Sequence, residues 1–104
     1  MDELTIKEIH IIPVKIQDGL VAFASGVMNN IYFGNISIYS CPSSPDGFRL
    51  VYPTKTLKNG TKLSIFYPIN KETGLTMQKQ IVSEYLKLVE ILTKGDTKWA
   101  NNLQ

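Results

Sequence analysis

The chain has 104 residues, with 11 Lys and Arg against 9 Asp and Glu and a formal net charge of +2. That length gives one domain with a modest core, small enough that pairing with a second chain would help to bury it. A lone cysteine, Cys41, excludes a disulfide framework within the chain and points to a reducing cytoplasm, and no apolar run approaches the roughly 18 residues of a membrane span.

Residues 4–16 are rich in β-branched side chains and read as a strand. Ile6, Ile12, Val14 and Ile16 share one face by even spacing, Ile9 and Ile11 the other, and Pro13, which has no N–H for a ladder, puts this strand at an edge or a bulge. Asp18 and Gly19 tolerate the positive φ angles of a two-residue turn, so a hairpin leads into a second strand over residues 20–28. Asn29 and Asn30 make the next tight turn, and a third strand follows over residues 31–40. CPSSPDG, residues 41–47, is a loop by its two prolines and its glycine. Fourth and fifth strands, residues 48–52 and 62–66, flank a turn at Lys58, Asn59, Gly60 and Thr61.

From about residue 73 the apolar period becomes helical, with Leu75, Ile81, Val82, Tyr85, Leu88, Val89 and Leu92 on one face. Thr73 is the expected N-cap and Gly95 the expected stop, which leaves residues 96–104 as a flexible tail. The expected fold class is therefore α+β: a five-stranded, mainly antiparallel meander and one C-terminal helix, in a single domain over residues 1–95. One helix covers part of one sheet face. The second strand is apolar on both sides, with Leu20, Ala22, Ala24 and Met28 on one and Val21, Phe23 and Val27 on the other. A homodimer is the economical cover for what remains.

Catalysis lacks its parts. His10 and Cys41 are each single and far apart, there is no Gly-x-Ser-x-Gly elbow or carboxylate pair near a candidate pocket, and the isolated glycines form no phosphate loop. Neither a metal nor a cofactor nor a small-molecule substrate is expected.

The uneven charge is the functional clue. Arg49, Lys55, Lys58, Lys62 and Lys71 lie in a stretch without an acidic residue, whereas residues 1–48 hold two lysines and five carboxylates. Lysines on a projecting hairpin can reach phosphates without desolvating a core, and Thr54 and Thr56 can donate hydroxyl hydrogen bonds to the same oxygens. The candidate nucleic-acid contacts are Thr54, Lys55, Thr56, Lys58, Lys62 and Lys71. Tyr52 and Tyr67 flank the hairpin, placed either to stack on bases or to pack at strand ends. The other reading of the lysines is a solvated loop that aids solubility.

From Gly47 to Tyr85 the chain resembles the bacterial SpoVG family, the septation or stage V sporulation protein G. The family pattern is a Gly, a short apolar strand, Met-Pro-Ser-Lys-Arg, a turn with Asp-Gly, a strand, and His-Pro-Ile-Asn opening a helix. Gly47, Pro53, Thr54, Lys55, Asn59, Gly60 and the run Tyr67, Pro68, Ile69, Asn70 keep that spacing without a gap. Residues 1–46 share only the hairpin layout. The resemblance implies a dimer that binds DNA or RNA through the basic hairpin, in septation, sporulation and control of gene expression. Two departures stand out: Thr56 replaces the Arg beside the lysine, and Tyr67 replaces the His. An alternative is a protein-interaction module that kept the fold while Thr56 marks a lost nucleic-acid site.

Overall fold

The computed structural model describes residues 6–103, and side chains over residues 6–93. Strands β1 (Lys7–Gln17), β2 (Leu20–Met28), β3 (Ile31–Ser40) and β4 (Phe48–Val51) form an antiparallel sheet in the order β1-β2-β3-β4. The first two turns are those the sequence specifies. Asp18 and Gly19 have φ of 52° and 88°, and Asn29 and Asn30 of 53° and 64°, the paired left-handed residues of a turn that matches strand twist.

Bulges change which residues share a face. Between the pairs Lys7↔Val27 and His10↔Ser25, β1 spends one residue more than β2, and Glu8 absorbs it at φ 52°. Ile6 therefore joins Ile9 and Ile11 against the core, while Ile12, expected beside Ile6, is 62% exposed. Likewise Asn35, at φ 59°, takes up an extra β3 residue between Ile36 and Phe33, and both are buried. An irregularity between Leu20 and Ala22 brings Val21 into the core beside Ala22 and Ala24 instead of on the opposite side.

Gly26 is required by close approach. A Cβ there would stand 2.8 Å from Ile6 Cγ2 and 3.0 Å from Phe33 Cζ, inside any normal contact. The main sheet has four strands, not five, because the chain leaves it at Pro53. Strands β5 (Thr54–Thr56) and β6 (Lys62–Ser64) pair only with each other, as a separate two-stranded ribbon.

The helix α1 (Lys71–Leu103) begins two residues earlier than expected. Its cap is Asn70, whose Oδ1 accepts the Thr73 N–H at 2.7 Å, so Thr73 lies inside the first turn. Helix continues through Gly95, since glycine permits a left-handed stop without imposing one. The flexible tail expected over residues 96–104 falls on residues whose side chains lie outside the described ones. Met77 and Ile81 are buried on the sheet, where Ile36, Ile38 and Ile81 are fully enclosed, and Val82, next along the helix, is buried as well. Each such side chain contributes roughly 1.5–3 kcal/mol by leaving water. Leu75, expected on that face, is exposed because the buried stripe is centred on Met77 and Ile81, more than a third of a turn away; Leu92 lies in line with that stripe and is exposed too.

The candidate nucleic-acid interface

Phe66 fixes the root of the ribbon. Its ring lies 5.9 Å from Phe33 and 6.0 Å from Tyr52, centroid to centroid, so the ribbon springs from the edge of the core. Beyond that root residues 54–65 are all exposed. Ile65 N–H donates to Pro53 O at 3.0 Å, and the register Thr54↔Ser64, Lys55↔Leu63, Thr56↔Lys62 continues the ladder outward.

The tip is a three-residue loop, not a two-residue turn. Leu57 N–H bonds Thr61 O at 2.7 Å and Gly60 N–H bonds Leu57 O at 2.9 Å, while Gly60 alone takes positive φ, at 88°. Asn59 Oδ1 accepts the Thr61 N–H at 2.9 Å and so rigidifies the loop that carries Lys58.

Because facing residues in a ladder share a side, the ribbon has two unlike faces. Thr54, Thr56, Lys62 and Ser64 make one, with three hydroxyls around an ammonium; Lys55 and Leu63 share the other. The structure thus brings Thr54, Thr56 and Lys62 together and turns Lys55 away. Lys58 sits at the tip, and Lys71 is on another element, in the first turn of α1. Ser64 was not among the sequence candidates; its position opposite Thr54 follows only once the three-residue loop sets the register.

None of Lys55, Lys58 or Lys62 pairs with a carboxylate among the described residues; the ion pair found there is Lys87–Glu84, at 3.0 Å. The two flanking tyrosines part ways. Tyr52 packs inward, its hydroxyl 3.8 Å from Met77 Sδ, and burial pushes its pKa up to about 12. Tyr67 stays exposed beside the ribbon. Among the described residues no three His, Cys, Asp or Glu side chains gather where they could hold a metal, and no helix is long and apolar enough to cross a membrane. No family model matches this chain, and no curated protein matches it.

Proposed function

We propose that this is a SpoVG-like nucleic-acid-binding regulatory protein that acts in the cytoplasm as a homodimer, presenting its basic ribbon twice. By resemblance its role lies in septation or sporulation and in control of gene expression. The observation that supports this reading most is the ribbon itself: an exposed hairpin whose lysines pair with no carboxylate among the described residues. Lys62 with the Thr54, Thr56 and Ser64 hydroxyls offers phosphate a cation and three donors on one face, and Lys58 extends the charge to the tip. Phosphate contact of this kind positions a chain on DNA or RNA without reading sequence.

Dimerisation is supported by apolar surface left outside the helix-covered core. Across the outer sheet face Ile12, Phe23, Ser37 and Val51 align in one row, apolar but for Ser37, and α1 exposes Leu75 and Leu86. A second reading, a protein-interaction module, draws on the other face of the ribbon, where Leu63 is 49% exposed, and on Thr56 in place of Arg.

Fluorescence anisotropy with labelled DNA and RNA, at low and moderate salt, separates the two readings. Binding through the ribbon predicts that log K falls by about 0.9 per log unit of salt for each phosphate contacted on duplex DNA. A Lys55→Ala, Lys58→Ala, Lys62→Ala triple variant should fold and assemble normally yet lose most of that slope. An unchanged slope removes the ribbon as the site, and absence of binding by the parent protein favours the interaction module. Light scattering that returns the monomer mass of 11.7 kDa at micromolar concentration contradicts the dimer.

A further inference from the structure

Beside α1 runs an open groove of about 800 Å³, walled on its far side by Pro45, Asp46 and Phe48. Its floor and near wall carry Leu75, Val82 and Leu86, and Val89 continues the row one turn further. At helical spacing these four lie within about 60° of arc, about 100° around from the stripe that packs on the sheet. The helix therefore has a second apolar stripe, which lies open except at Val82, itself buried at the groove floor. Leu75 is 60% exposed and Leu86 46%.

The far wall is braced. Asp46 accepts hydrogen bonds from Ser44 Oγ at 2.9 Å, from Phe48 N–H at 3.1 Å and from Gln78 Nε2 at 3.0 Å, and Gln78 Nε2 also reaches Phe48 O at 2.9 Å. These bonds fix the loop against α1, so the groove is a standing feature with a helix as one rim.

Two charges flank this second stripe on the same side. Lys79 lies towards its start and Glu90 towards its end, with Val82 and Leu86 between them. A helix with this pattern is complementary to itself when turned end for end, since Lys79 of each copy then faces Glu90 of the other while the apolar rows meet. We infer that the groove seats α1 of a second copy, antiparallel to the first, across a two-fold axis near Leu86. This rests on the dimer reading above and gives it a seam. The helix of each copy fills the groove of the other, and the outer sheet row of Ile12, Phe23 and Val51 is left free.

Light scattering on three groups of variants tests the seam, with circular dichroism to confirm folding. Leu86→Glu should shift the dimer towards monomer, raising the dissociation constant at least about tenfold for an apolar contact replaced by a charge. Ile12→Glu, on the outer row, should leave it unchanged. Lys79→Glu and Glu90→Lys should each weaken the dimer, and the two together should restore it, because each copy then again offers one cation and one anion. If Ile12→Glu dissociates the dimer and Leu86→Glu does not, the seam is the sheet face: the inference falls and the dimer stands. If the charge reversal does not rescue, the antiparallel register is wrong. A parent protein that is monomeric removes both the seam and the dimer.

Discussion

The four-stranded sheet and the two-stranded ribbon are built by the same local rules and end in opposite states. Both are antiparallel hairpins joined by loops with left-handed residues at the required positions. The sheet has a face under α1, and there Ile36 and Ile38 are fully buried; in the ribbon every residue from 54 to 65 is exposed. An isolated two-stranded ribbon is marginal in water. This one persists through its root at Phe66 and its braced tip. Stability is concentrated where apolar side chains leave water, and the exposed arm is free to carry unneutralised charge at little cost to the fold.

The sharpest way to break that contrast is truncation in each region. Ile36→Ala should lower unfolding free energy by about 2–5 kcal/mol, since it opens a cavity where nothing can collapse. Leu63→Ala in the ribbon should cost less than about 0.5 kcal/mol. Urea denaturation measures both, and equal losses would mean that the ribbon is packed against something in solution. Gly26→Ala belongs with the core: its Cβ would meet Ile6 and Phe33, and about 1–3 kcal/mol is the expected loss for such overpacking.

The junction between the regions has a pH signature. Burial raises the Tyr52 pKa to about 12, so the folded protein prefers the neutral phenol. The stabilisation is complete below the unfolded tyrosine pKa of about 10 and is lost as pH rises from there through the folded value. For a half-buried ring, screening reduces the effect to about 1–2 kcal/mol. Tyr52→Phe should flatten stability between pH 10 and 12 in thermal melts, and an unchanged profile would mean that the ring is more open to water than the fold implies. A smaller effect is expected at the helix start: Asn70→Ala removes the acceptor for the Thr73 N–H and should cost about 1 kcal/mol, whereas Thr73→Ala should cost less.

How much of this was legible depended on whether the signal was local. The turns at Asp18-Gly19 and Asn29-Asn30 were, because a two-residue hairpin needs left-handed residues and few side chains tolerate them. The strand faces were not. Even spacing assigns Ile6 to the side of Ile12, and a single left-handed residue, Glu8, reverses that; glutamate gives no warning of it. The fifth strand was misplaced for a related reason: Pro53 marks a break in pairing but cannot say that the next hairpin leaves the sheet. At the helix start both Asn70 and Thr73 are competent caps, and the choice was made by Asn70 reaching the Thr73 N–H. The candidate site was legible as a cluster of charge and not as a surface, because which lysines share a face depends on the loop length at the tip.

That register gives the finest test of the comparison. Lys62 faces the same way as Thr54, Thr56 and Ser64, whereas Lys55 shares its face with Leu63. A nucleic acid that lies along the hydroxyl-bearing face should lose about one unit of salt slope on Lys62→Ala and less on Lys55→Ala, by the same arithmetic of displaced counterions. Thr56→Arg, on that same face, should add to the slope, since a guanidinium there supplies a forked donor for a phosphate oxygen pair. Lys7→Ala, on β1 and outside the ribbon, should change nothing. Equal losses from Lys55 and Lys62 would mean that nucleic acid wraps the ribbon rather than lying on one side of it. Losing more at Lys55 would put the contact on the leucine face, with Leu63 against a base or a sugar.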